Sequence, residues 1–389
     1  MLTPELRWVR GFSLLGYPTD HRVLDVIAGT FGQVVARTLI REFDHELDEH
    51  GAGLVGFITH WCTAAPSFET AWDSAFGRAE LALSGNAGPP DAAIRMALRL
   101  TEAGYDGSWQ AHLAPTTLRL QHLLLTGVEE VVAHSVGKDR QIAVRRGRNW
   151  VECRWDDATG LWHSSDAPVV PTFGIGRAIC LLSADSAPPD ELHAPAFVDD
   201  LQPLEIIGKD VIALFQEGLE LLDELGYSPW VEKVLRAILV SVKMPQLRIR
   251  SGSTNSQPGT IHVSYPASVF DIAETLIHEC AHQYFNIVNW FGDFDDGSDT
   301  KLYWSAAAQK YRTLVRILIG YHAFANILLF YEALQEADID DGGYVEQNLS
   351  DMRSKVEHLD EPLRGNPALT DLGLAIYTPL ADRLQSAIS

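Results

Sequence analysis

Across most of the first third of the chain, apolar positions return every three or four residues. HRVLDVIAGTFGQVVARTLIREFDHELDEH, starting at His21, keeps this period throughout. DAAIRMALRLTEAG, starting at Asp91, resumes it after the break at Gly85-Asn86-Ala87-Gly88-Pro89-Pro90. The spacing predicts helices over residues 20–135. From about residue 139 the period shortens to two. RQIAVRRGRNWVECRWDDATGLWHSS alternates apolar and polar, with Arg146-Gly147 and Ala158-Thr159-Gly160 as turn signals, and predicts two or three antiparallel strands. Trp150, Trp155 and Trp162 fall here and read as side chains on a packed sheet face. PTFGIGRAICLLS predicts one more strand. Ala187 to about residue 203 reads as a linker. VIALFQEGLELLDELGY and WVEKVLRAILVSVKM predict helices, while QLRIRSGS and GTIHVSYP predict strands around a Ser/Gly-rich turn.

Ser268, three residues before Asp271 and just after Pro266, marks the N-cap of a helix running to about 290. A second long helix is predicted over 305–335. The expected fold is α+β, mainly α-helical, with a small antiparallel sheet in the middle. The expected regions are a helical one over 1–135, an antiparallel β region over 136–200 and a helical, metal-binding one over 201–389.

The first of these late helices carries LIHECAHQYFN, and within it His278-Glu279-Cys280-Ala281-His282, an HExxH. On a helix the two histidines lie on one face, one turn apart, so both imidazoles can reach one metal ion. Glu279 points roughly 100° away around the axis, within reach of a metal-bound water. A third ligand is harder to find. Phe285 and Val288 stand where an HxxGxxH continuation needs Gly and His, and no glutamate lies between Glu279 and Glu332. Asp293, Asp295, Asp296 and Asp299 form an acidic loop that reads as solvated. His322, in LVRILIGYHAFANILLF, is the nearby downstream histidine. On a continuous helix, Arg312, His322 and Asn326 would fall within an arc of about 80°. Polar groups on an apolar helix need partners when buried, which favours His322 as the third ligand of a metal site between the two long helices. Thr275 lies one turn before His278 on its face, and Tyr284 and Asn286 follow the motif as candidate pocket residues.

Charge and composition narrow the classes. The chain has 389 residues, is 46% hydrophobic and carries a formal net charge of −22. Enough apolar residues are present for a buried core. The acidic balance argues against nucleic acid and against an anionic membrane surface, while permitting a basic or neutral peptide. Cys62, Cys153, Cys180 and Cys280 are far apart and form no CxxC pair, which fits a reduced compartment. The first residues lack the pattern of a signal peptide. The most apolar segment, Leu314 to Leu334, is interrupted by Arg316, His322 and Asn326 and reads as a buried helix rather than a membrane span. A cytoplasmic protein is expected.

From about residue 205 onward the chain resembles the HExxH-motif proteins encoded with ribosomally made, post-translationally modified peptides. Some of these act as 2-oxoglutarate-dependent peptide β-hydroxylases. The resemblance rests on an ordered series: FQEGLELLDELGY with VEKVLRAILVSV, then RSGSTNSQPGTIHVSYP, DIAETLIHECAHQ, YWSAAAQKYRTLVRILIGYHAFANILLFY, and LTDLGLAIYTPLADRL. Departures are present. Ala308 stands where the family has the Arg of S-P-W-R, Thr313 where it has the Pro of R-P-L, and Ile319 where it has the His of G-L-L-H-G. Arg312 matches the Arg of R-P-L, and His322 lies about one turn beyond Ile319.

The resemblance implies Fe(II) on His278, His282 and a third ligand, with 2-oxoglutarate as co-substrate. It implies a fixed cation for the far carboxylate, Arg312 first and Arg316 second. Glu279 would then orient water or a ligand. A ribosomal precursor peptide would be the substrate, with a partner maturation enzyme alongside. The same HExxH also suits a zinc metallopeptidase with Glu279 as general base, or a peptide-binding protein without catalysis. FGIGRAI resembles a phosphate loop, but Ile179 stands in place of the third glycine, and the segment reads as strand.

Overall fold

The structure is a computed structural model and describes residues 4–187, 202–243, 248–305, 307–339 and 343–386. About half of it is helical and the rest includes antiparallel sheets, so the fold is mixed α+β. The chain forms two compact units from interleaved segments. A sheet unit comprises Leu24–Ala213 and Leu235–Pro266, and a helical unit comprises Met1–Val23, Leu214–Val234 and Ala267–Ser389.

The sheet unit opens with helices, including Thr30–His50, Leu54–Trp61, Ser74–Leu83 and Pro89–Glu102. An antiparallel meander follows: β1 (Gly107–Leu120), β2 (Leu123–Val136), β3 (Asp139–Arg146), β4 (Asn149–Asp156) and β5 (Leu161–His163), paired in that order. The helical prediction over 20–135 is therefore corrected beyond Glu102. Leu124, Val128 and Val131 are spaced four and three apart, which suits a helix as well as one face of a strand. Pairing settles the matter, since β2 runs between β1 and β3 with Ala133 opposite both Trp109 and Ile142. Alternate residues Val131, Ala133 and Ser135 are buried while Val132 and His134 face out. Helices and meander share one core, built on Leu39, Ile58, Trp61, Ile94, Trp109 and Val144. Trp162 is buried and meets Trp155 edge-on at 6.0 Å, whereas Trp150 is exposed.

A second, mixed sheet completes this unit. It holds β6 (Thr172–Phe173), β7 (Ile179–Leu182), β8 (Gln202–Pro203), β9 (Ala237–Val242), β10 (Ser251–Ser253) and β11 (Thr260–Tyr265), in the order β10-β11-β9-β7-β6 with β8 also on β9. The helix predicted through WVEKVLRAILVSVKM stops at Val234, and its second half is β9, parallel to both β7 and β11. An unbroken buried run such as Ala237-Ile238-Leu239-Val240 suits a central strand with parallel neighbours, and no alternation betrays it. PTFGIGRAICLLS is not one strand but β6, a loop over 174–178, and β7. β11 forms as predicted and β10 covers part of QLRIRSGS, whose first two residues lie outside the described residues. So does most of the expected linker, at 188–201.

The helical unit is built on Val269–Asn289 and Leu314–Glu336, with Tyr344–Asp360 and Asp371–Ser386 beside them. The second long helix begins at Leu314 rather than 305. The residues before it form a small hairpin, β12 (Tyr303–Ser305) and β13 (Lys310–Arg312), with Gln309 at φ 51 in its turn. His21–His50 and Leu314–Glu336 are both long and apolar enough to cross a membrane, but 72% of the most apolar window of Leu314–Glu336 is buried inside the molecule. A core helix that is apolar all round has this character.

Candidate functional site

The HExxH helix starts where the sequence places it. The Ser268 hydroxyl accepts from the Asp271 amide at 3.1 Å, and the Asp271 carboxylate accepts from the Ser268 amide at 2.9 Å, completing the capping box. Two to three turns on, His278 and His282 project together. Their rings stand nearly perpendicular with centroids 4.7 Å apart, and their Nε2 atoms are 3.1 Å from each other. The Phe324 ring lies 5.1 Å from His278. Burial pushes the His278 imidazole down to about 4, with Lys355 adding to the effect. Burial likewise pushes His282 well below the usual range, reinforced by His278, His322, Arg312 and Arg316. Both rings are therefore neutral near pH 7, the state a metal ligand needs. Glu279 is 1% exposed.

His322 has a different principal role from the one expected. Its Nε2 lies 3.1 Å from the carbonyl oxygens of both Phe12 and Ser13. Asn326, one turn on, donates to the Ser13 carbonyl at 2.9 Å and to the His322 carbonyl at 2.8 Å, and accepts from the Leu15 amide at 2.7 Å. The buried polar groups of this helix thus meet backbone from the N-terminal segment. His322 Nδ1 is buried with no atom in hydrogen-bonding geometry, although the Ala281 carbonyl is close enough to favour protonation. Burial pushes the ring down to about 4. Tyr284, a candidate pocket residue, is a core residue: it is buried, donates to the Trp230 carbonyl at 2.9 Å and tilts against Trp230 with centroids 4.5 Å apart. Thr275 is buried and Asn286 half-buried.

Arg312 lies on β13, so the helical arc drawn through it does not apply. It nevertheless bears on His282, as does exposed Arg316. The Arg312 side chain is half-buried, its Nε is buried without a hydrogen-bond partner, and burial together with Arg316 lowers its pKa. Lys355, from the Tyr344–Asp360 helix, bears on His278, stands over the Phe324 ring at 5.5 Å and pairs with Asp351 at 2.7 Å. Nothing local marks Lys355 in the sequence, since the Tyr344–Asp360 helix lies far along the chain from the motif. The acidic loop is turned to its own structure. Asp295 and Asp296 accept from the amides of Gly297 and Ser298, and Asp299 accepts from Tyr303 at 2.6 Å and Asn366 at 2.8 Å.

Among the described residues, no group of three or more His, Cys, Asp or Glu side chains is arranged to hold a metal. The expected three-ligand metal centre between the two long helices is not shown; what is present is a pair of imidazoles from one helix. Two neutral imidazoles with Nε2 atoms this close share either a proton or a cation. With metal–nitrogen bonds of ~2.1 Å, their 3.1 Å separation corresponds to about 95° at the ion, the angle of adjacent ligands. The pair fits a metal, and the cations around it fit an anionic co-ligand. No protein-family model matches the chain, and no curated protein matches it.

Proposed function

We propose that the chain is an Fe(II)- and 2-oxoglutarate-dependent hydroxylase that modifies a ribosomally made peptide in the cytoplasm. The observation that supports it is the convergent imidazole pair, with Arg312 and Arg316 bearing on His282 and Lys355 on His278, in a protein of net charge −22. Lys355 is already paired with Asp351, so Arg312 and Arg316 are the cations that bear on the metal position, and a divalent ion beside them is better placed when an anion joins it. A dicarboxylic co-substrate supplies that anion.

His278 and His282 would hold the metal through Nε2. The remaining coordination positions would be left to the co-substrate and water, since His322 is held by the Phe12 and Ser13 carbonyls through Nε2. Bound iron with 2-oxoglutarate supplies oxidation of an unactivated C–H bond. The chain's own contribution is binding and orientation. Arg312 receives the far carboxylate with a fork whose Nε has no other partner, and Arg316 adds charge from outside. The net negative charge of the whole molecule favours a basic or neutral peptide.

The test is turnover. Protein prepared without oxygen is given Fe(II) and 2-oxoglutarate, then air, and succinate is measured with and without candidate peptide. Succinate above the metal-free control supports the reading. Its absence, together with zinc-dependent peptide cleavage, replaces the hydroxylase with a hydrolase.

A further inference from the structure

A second constellation lies wholly within the sheet unit. A pocket of about 570 Å³ is lined by Arg99, Arg119, Arg177 and Arg236 against Glu69, Asp73 and Glu102. Four guanidiniums facing three carboxylates leave the lining with an excess positive charge, in a molecule whose overall charge is strongly negative.

The arrangement is built, not a solvated fringe. Arg236 is 8% exposed and Arg177 side-chain exposure is 30%; both place a nitrogen 3.1 Å from the same oxygen of Glu69. Arg99 bonds Glu102 at 3.0 Å and the Glu69 carbonyl at 2.6 Å, and stands 3.6 Å from Asp73. Arg119 donates to the Gln121 carbonyl at 3.2 Å, and Gln121 itself adopts φ 49 at the β1–β2 turn. Burial pushes the Arg236 guanidinium down to about 9, with Arg177 adding to the shift and Glu69 only partly opposing it. Arg236 is still charged at neutral pH, but the fold holds that charge against its preference. Burial also raises the Glu102 carboxyl, against the opposing effect of Arg99.

The segment that resembled a phosphate loop ends here. Gly174-Ile175-Gly176 joins β6 to β7 and delivers Arg177 to the pocket wall. Gly174 sits at φ 147, a conformation that excludes a side chain at ordinary strain. A phosphate monoester presents three acceptor oxygens in different directions and can take guanidinium forks from several sides, whereas a carboxylate offers two oxygens in one plane. The pocket is also much larger than a bare ion.

We propose that this pocket binds a small phosphate ester, with the phosphoryl group at Arg177 and Arg236 and the organic body filling the remainder. The site is separate from the histidine pair and does not depend on the hydroxylase reading.

The test uses the full chain and calorimetric titration at fixed ionic strength. The probes are phenyl phosphate, inorganic phosphate and benzoate. Wild-type protein should bind phenyl phosphate saturably, and benzoate should bind about tenfold more weakly or worse. Arg177→Gln, whose side chain is partly exposed, should keep the wild-type circular dichroism and lose about tenfold in phenyl phosphate affinity. Arg236→Gln should lose more; if it does not fold, the Arg177 variant decides. No saturable binding of either phosphate, equal binding of benzoate, or unchanged affinity in Arg177→Gln overturns the proposal.

Discussion

Asn326 uses its whole side-chain amide inside the protein: its nitrogen serves two carbonyls and its oxygen one amide, with no exposed surface. Removing it leaves the Leu15 amide and Ser13 carbonyl buried with fewer partners, and such groups cost 1–3 kcal/mol each when unsatisfied. Asn326→Ala should therefore lower unfolding stability by about 3 kcal/mol, measured by urea denaturation. Metal affinity per folded molecule should be unchanged, because the hydrogen bonds of Asn326 run to Leu15, Ser13 and the His322 carbonyl. Arg312 gives the opposite signature. If its fork receives the far carboxylate of 2-oxoglutarate, Arg312→Gln should raise the KM for 2-oxoglutarate by about tenfold or more, with stability and metal affinity near wild type. A KM that does not move assigns Arg312 no part in binding the acid.

At the scale of elements, legibility in the sequence follows the range of the deciding interaction. The capping box needs only Ser268 and Asp271, so the start of the HExxH helix and the shared face of its histidines are readable locally. Ser268→Ala should cost about 1 kcal/mol in urea denaturation, the usual loss of a capping side chain. A loss near zero would mean that packing alone fixes the helix start. β1 and β2 are decided elsewhere, by pairing across a turn and by the helices covering them, so a three-and-four spacing in β2 suggests the wrong element. β9 is still less visible, because a strand between two parallel neighbours has no polar face to alternate with. The hairpin ahead of Leu314 moved Arg312 off the helix on which its angle was reckoned, yet left it near His282. The polar residues on the Leu314–Glu336 helix did require partners, as their chemistry demands. Those partners come from residues more than three hundred positions away, which no local pattern reports.

For the whole molecule, the most general consequence is a dependence of stability on pH carried by histidines that the fold holds neutral. His278 and His322 are both pushed down to about 4, and His282 is well below its usual range. Because metal would also titrate with two of these, the cleanest reporter is His262 in β11, in the other unit. It is buried, its Nε2 meets the Gln257 side-chain oxygen at 3.1 Å, its Nδ1 has no partner, and burial pushes it down to about 4. In the unfolded chain the same imidazole takes a proton below roughly 6.5. Between these limits the unfolded state binds more protons, so stability rises with pH and is lost as pH falls from about 6.5 to about 4. One such group contributes a slope of up to about 1.4 kcal/mol per pH unit. Glu102 and Glu274, whose carboxyls burial raises, act in the opposite sense, so the total slope alone is ambiguous. Comparison with a variant removes that background. In metal-free protein, urea denaturation at pH 5 and pH 6 should show wild type losing more stability on acidification than His262→Gln, by about one proton's worth of slope. Parallel losses in the two proteins would show that the His262 imidazole is protonated equally in the folded and unfolded states, and burial would then not be holding it neutral.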